Sequence, residues 1–304
     1  MFVPFFSKRS DEKLYRRKGG GGKGGGSSGG GRSGGGTTGG RGGTGGGSAR
    51  SSSVNTPIGS KSATSFGNGG GSPVTIPSGQ LFAGRQAGGG TRGEVYGSRT
   101  YGSGYPGLPA ANRGVGGLNF PFVFWPIAWG GAAGLGAGAY LHNREYGRPD
   151  NTSRPGGVMM TAAFISNTQN NTFRLVADNE TVTSLIQDIQ ADCSSNLKDP
   201  DSITATNYFD NSTVPQPEQT VQYYRASSVA LTLDGYNNTG ALQDDNTPDT
   251  PLPSNLDNDL LTCLNTTIGE AVPLVDSASF RLSAPSNVGL VGLIYLLWTM
   301  SSMF

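Results

Sequence analysis

Between Val158 and Ile268 apolar side chains recur with two distinct periods, and each period predicts an element. Val158–Ser166 is apolar and β-prone, an Asn-rich polar turn follows, and Thr172–Ala177 resumes the pattern, which predicts a hairpin. Beyond Asn179, read as a cap, Val182, Leu185, Ile186 and Ile189 return at helical spacing as far as Cys193. A second helix is expected after Pro217, with Val221, Tyr224 and Leu231 on one face, although Val229–Leu233 also alternates like a strand. Leu256, Leu260, Leu261, Leu264 and Ile268 predict a third helix, with Cys263 beside its apolar face. Residues 155–275 are thus expected to form a small α+β domain, a hairpin plus about three helices. A chain of that length buries roughly two-thirds of its surface.

Upstream the periodicity vanishes. Residues 19–47 contain 20 glycines in 29 positions and no large apolar side chain. Such a segment cannot bury enough surface to offset its ordering entropy. Glycine, serine and polar residues continue to about 117, so residues 1–117 are expected to be a disordered basic region. The apolar run over 120–141, FPFVFWPIAWGGAAGLGAGAYL, is long enough to cross a hydrocarbon core of about 30 Å. Trp125 and Tyr140 suit opposite interfaces, and Gly130, Gly134 and Gly138 give two overlapping GxxxG steps. Pro126 and five glycines work against a regular span. Residues 118–142 are expected to be a transmembrane segment.

Charge reinforces this division. Residues 1–117 carry 15 Lys/Arg against Asp11, Glu12 and Glu94, and the remainder carries 7 basic and 18 acidic side chains. A basic half and an acidic half on either side of an apolar run suggest that the basic half stays cytosolic. All six Asn-x-Ser/Thr triplets (Asn151, Asn170, Asn179, Asn211, Asn237 and Asn265) follow the run, which places the acidic half in the secretory lumen as N-glycosylation acceptors. Cys193 and Cys263, the only cysteines, are then expected to pair. Residues 288–304 form a charge-free, mostly apolar tail, preceded by the spacer Phe280–Asn287 and the small triplet Ser277-Ala278-Ser279. Over 277–304 this order reads as a glycosylphosphatidylinositol (GPI) anchor signal with Ser277 as the attachment candidate. The start, MFVPFFSKRSDEKLYRRK, has too short an apolar core for a signal peptide. Entry to the secretory pathway therefore calls either on 120–141 as a signal anchor or on a start upstream of this one, with Lys8-Arg9 and Arg16-Arg17 as processing sites.

Candidate chemistry changes the picture little. Gly102-Ser-Gly-Tyr-Pro-Gly107 matches G-x-G-x-x-G only in letters, because Pro106 and Pro109 oppose a helix start. GGAAGLGAG over 130–138 lacks the Lys-Ser/Thr end of a phosphate loop. One RGG triplet begins at Arg41, without interleaved aromatics, so nucleic acid is not an expected partner. Phe82, Arg85, Arg92, Tyr96, Arg99, Tyr101 and Tyr105 alternate aromatic with Arg and suggest cation–π self-association alongside the Gly-rich segment. With His142 as the only histidine, no nucleophile–histidine system, metal or cofactor is expected. Asp188 and Asp192, one turn apart, read as a solvated helix face, and the Asp244–Asp259 stretch reads as an acidic loop.

The motifs AGRQAGGGTRGEVYGSRTYGSGYPG, FPFVFWPIAWGGAAGLGAGAYLH and EYGRPDNTSRPGG resemble an uncharacterised group of basidiomycete fungal glycine-rich, membrane-anchored glycoproteins, a resemblance that implies no activity. The order of parts is also similar in layout to the prion protein group, without its octarepeats. The expected function is that of a non-enzymatic, N-glycosylated, membrane-anchored protein of the cell surface or secretory pathway, with the membrane as partner and no small-molecule ligand. The alternative is an RG-rich intracellular protein associated with nucleic acid.

Overall fold

A computed structural model of the chain describes residues 49–109, 112–129, 141, 144–209, 215–243 and 247–276. The expected hairpin is present as β5 (Met159–Ile165) and β6 (Thr172–Asp178), counting from the four strands that precede it: β1 (Ser51–Thr56), β2 (Gly59–Thr64), β3 (Val74–Thr75) and β4 (Gln86–Ala87). Phe164 faces Phe173 across the pair, and both are fully buried. Helix α1 (Asn179–Cys193) follows at once, with Asp178 as N-cap accepting the Thr181 N–H at 3.0 Å. Val182, Leu185, Ile186 and Ile189 all face the core, as their spacing requires. Beyond β7 (Thr206–Asn207) the structure departs from expectation. Pro217–Gln219 makes a single tight turn, and the chain then forms β8 (Thr220–Tyr224) and β9 (Val229–Leu233). The five strands are antiparallel in the order β7-β5-β6-β9-β8. Thr, Val and Tyr in TVQYY and VALTL suit a doubly covered strand. The i, i+3 spacing of Val221 and Tyr224 reads as a helix face, but β8 is buried nearly throughout and is irregular between Thr220 and Gln222, so no strict two-residue period marks it. Tertiary pairing with β6 selects the strand. Helix α2 (Asn258–Ala271) and β10 (Leu274–Val275) complete the described chain.

The architecture is therefore mostly β, with two α-helices and ten strands in three sheets among the described residues, and not a hairpin with three helices. The larger correction lies upstream. Residues 49–109 and 112–117, expected to be disordered, join the fold. β1 pairs with β2, and β10 adds to the other side of β2. Residues 95–98 line the outer edge of β8, where Gly97 N–H donates to Tyr223 O at 3.0 Å and Tyr223 N–H to Ser98 O at 2.8 Å. Val54, Ile76, Val95, Tyr101 and Val115 are buried in the same core as Leu175, Leu231 and Leu264. Glycine here permits close approach: a Cβ on Gly269 would collide with the Tyr96 ring and hydroxyl, so Tyr96 lies directly on α2. Residues 1–48 lie outside the description.

The apolar run is corrected in the same way. Phe122, Val123, Phe124, Trp125, Ile127 and Trp129 are core residues on irregular backbone, which lipid does not tolerate. Residues 130–140 lie outside the described residues, and so does the tail at 277–304. Among the described residues no helix is long and apolar enough to cross a membrane. Because β2 and β10 share one sheet, a bilayer cannot pass between residues 51–117 and residues 155–275. The signal-anchor arrangement fails on that point.

Candidate functional site

The two helices are tied together. Cys193, at the last turn of α1, is bonded to Cys263 in the second turn of α2, with Cα atoms 5.8 Å apart. Asp257 caps α2, accepting the Leu260 N–H at 2.9 Å and the hydroxyls of Ser166 (2.6 Å) and Thr168 (2.9 Å). Burial alone would raise the Asp257 carboxyl, but these hydrogen bonds outweigh it and hold it below the usual range.

The glycosylation triplets fall in unlike settings. Asn170 is exposed in the β5–β6 turn, and Asn237 is exposed just after β9. Asn151 is half-buried, and its side-chain oxygen accepts the Ser153 N–H at 2.9 Å. Asn179 opens α1, half-buried. Asn265 sits inside α2, where its side-chain oxygen accepts the buried Tyr224 hydroxyl at 2.8 Å. Asn211, like Ser277 and His142, lies outside the described residues. A glycan fits Asn170 and Asn237 without disturbing a neighbour, whereas Asn265 would carry one in a packed helix–strand junction.

The most unusual local structure is the β8–β9 turn. Arg225, Ala226 and Ser227 all have positive φ, at 50°, 49° and 59°, and all are buried. Three successive left-handed L-residues cost about 1–2 kcal/mol each. They are held by a set of buried hydrogen bonds from Arg225 and Ser227. Arg225 donates to Asp178 Oδ2 at 2.6 Å, to Pro273 O at 2.9 Å and to Ser228 Oγ at 2.8 Å, with its guanidinium 3.5 Å from the Phe124 ring centre. Burial lowers the affinity of Arg225 for its proton and Asp178 restores part of it. Ser227 accepts the N–H of Gly102 on its hydroxyl and that of Ile127 on its carbonyl, both at 2.9 Å. A second buried arginine, Arg154, binds the carbonyls of Tyr146 (3.1 Å), Trp125 (3.1 Å) and Pro126 (2.5 Å). Burial lowers it to about 10, so it remains charged at neutral pH.

Other arginines of the Gly-rich half also bind the fold. Arg50 is ion-paired with Asp188, whose side chain is 1% exposed, and it donates to Ser184 O at 3.0 Å. Asp188 is therefore a buried partner and not part of a solvated face. Burial raises its carboxyl, Arg50 opposes the shift, and Asp192 adds to it. Arg92 binds Gly67 O and closes the C-terminus of α2 through Gly269 O (3.2 Å) and Val272 O (2.7 Å). Burial, with Arg225 nearby, lowers it to about 10. Arg99 reaches Thr250 O at 3.2 Å, and Arg85 pairs with Glu145 while stacking on Phe82 and Phe120. The charge asymmetry of the chain is in part the complementarity of two halves that pack together.

These groups order the chain and do not converge on a reacting centre, and no cluster of His, Cys, Asp or Glu among the described residues is placed to hold a metal. Sequence reasoning missed Arg50, Arg154 and Arg225. One signal was present for Arg225: a lone cation between two apolar strands has to be buried with a partner. Comparison of the chain with protein-family models, curated proteins and solved structures finds no match.

Proposed function

We propose that the chain is an exported, N-glycosylated, non-enzymatic protein held at a membrane, with its Gly-rich start and its folded body on the same side. The Cys193–Cys263 bond carries this reading, because structural disulfides persist in oxidising compartments. The exposure of Asn170 and Asn237 supports it. The membrane is the proposed partner through residues 277–304 as a GPI signal with Ser277 as its attachment point. The intracellular nucleic-acid reading is disfavoured by Arg50, Arg85, Arg92 and Arg99, which bind their own chain.

Endoglycosidase digestion of the full chain from a eukaryotic secretory host tests the proposal. A mobility shift that loses one step in Asn170→Gln and another in Asn237→Gln is expected; an unshifted band overturns it. Phospholipase release of the protein from intact cells tests the anchor, and protein that stays bound contradicts it.

A further inference from the structure

A cleft of about 360 Å³ opens between the β3–β4 hairpin and the loops at 105–108 and 118–121. Ligand sites of about 300–1,000 Å³ combine apolar walls with a few placed polar groups, and this cleft has both. Leu108, Leu118, Phe120 and three prolines, Pro73, Pro106 and Pro121, supply its apolar surface. Its polar lining consists of Gln86, Glu94, Tyr105 and Asn119.

Tyr105 is the informative member. Its side chain is 7% exposed, and its hydroxyl, which has no hydrogen-bond partner among the described residues, is the part of it that reaches the cleft. Burial keeps the phenol neutral, so it serves as both donor and acceptor. The neighbouring groups are held in place with capacity to spare. Glu94 uses Oε2 on the Thr91 N–H (2.9 Å) and hydroxyl (2.8 Å), leaving Oε1. Asn119 spends its side-chain oxygen on the Gln86 N–H at 3.0 Å, leaving its NH2 group, and the exposed Gln86 side-chain amide has no hydrogen-bond partner among the described residues.

This lining selects a ligand class. Glu94 is the only charged residue lining the cleft among the described residues, so an anion would meet a carboxylate and no cation. An extended peptide would need a ladder of main-chain partners, and half of the main-chain groups on the Gly88–Gly90 strip along the wall are already engaged within the fold. Gly88 N–H binds Phe120 O (2.8 Å), Gly90 N–H binds Pro121 O (2.7 Å), and Gly90 O accepts from Gly70 (2.9 Å). What remains is a carboxylate oxygen, two amides and a phenol beside proline and leucine C–H surface. That set matches a neutral ring with hydroxyls at its rim and C–H groups on its faces. We infer that the cleft binds a neutral pyranose sugar, as a mono- or disaccharide unit, through Gln86, Glu94, Tyr105 and Asn119. This site is independent of how the protein is exported.

The test uses the full chain after enzymatic removal of its own glycans. Saturation-transfer NMR and calorimetry are run with glucose, mannose, galactose and N-acetylglucosamine and their short oligomers, with a uronic acid and a proline-rich peptide as controls. Saturable binding of at least one neutral sugar is expected. Gln86→Ala, which removes an exposed side chain, and Tyr105→Phe, which keeps the buried ring, should each weaken it about tenfold with an unchanged melting temperature. Failure of every neutral sugar to bind, binding that both variants leave intact, or preference for the uronic acid or the peptide would each overturn the inference.

Discussion

Residues 159–276 and residues 49–129 contribute to one core by different physical means. The later region is periodic: strands alternate, helices carry apolar stripes, and hydrophobic burial positions each element before any specific contact is made. The earlier region has few regular elements and gains its place through point attachments. Arg50, Arg92 and Arg99 hold carbonyls or carboxylates, Gly97 and Ser98 line the β8 edge, and single aromatics such as Tyr101 and Phe124 fill gaps. A periodic region keeps its fold when one contact is lost. A region held by points depends on each of them, and most on those where the two regions meet.

The strongest challenge to this contrast is Arg225→Ala. It removes a buried pair, two further hydrogen bonds and the contact with Phe124, and it should cost about 5 kcal/mol in denaturant unfolding. A loss below about 1 kcal/mol would mean that the junction is not held there. Breaking the disulfide in a Cys193→Ala/Cys263→Ala double variant acts inside the periodic region. Opening a loop of 70 residues should cost about 4 kcal/mol by chain entropy while leaving the far-ultraviolet spectrum of the folded state unchanged. The Arg50–Asp188 pair sharpens the comparison through its asymmetry. Arg50→Ala strands a buried carboxylate and should cost about 2 kcal/mol, whereas Asp188→Asn leaves a cation that is one-third exposed and should cost under about 1 kcal/mol. Equal losses would show that the pair acts only through its Coulomb attraction.

The smallest effect is in pH, and two carboxylates give it opposite signs. Asp257 lies below its unfolded value of about 3.9, so its contribution is present above that value and is lost as pH falls through its folded value. Asp188 lies above its unfolded value, so the folded chain takes up its proton first and gains stability as pH falls toward 3.9. Acid unfolding should therefore flatten in Asp257→Asn and steepen in Asp188→Asn. The same slope in both would remove the distinction.

Legibility in the sequence follows the same divide. α1, α2 and the β5–β6 hairpin were readable because burial imposes a period on them. β9 was readable only as an alternative to a helix, and β8 was not readable, since Val221 and Tyr224 stand at helical spacing and only pairing with the neighbouring strand decides. The Gly-rich stretch over 49–109 and 112–117 was misread for a physical reason. Composition does not separate glycine in a disordered chain from glycine at positive φ, such as Gly102 (φ 101°) packed on the Gly114 backbone. The aromatics that betray the fold there, Phe82, Tyr101 and Tyr105, are spaced irregularly, so no pattern marks them as core. The cleft was illegible because Gln, Asn and Glu acquire meaning only when loops bring them to one opening.

The pairing of β10 with β2 also orders events in time. During synthesis the β1–β2 hairpin leaves the ribosome early, and its third strand comes from the far end of the described chain. Until Leu274 and Val275 emerge, one edge of β2 stays open, and a nascent open edge invites pairing with other chains. The body can therefore close only after nearly all of it has been made, so its folding is a late, all-at-once event that depends on whatever shields the waiting hairpin.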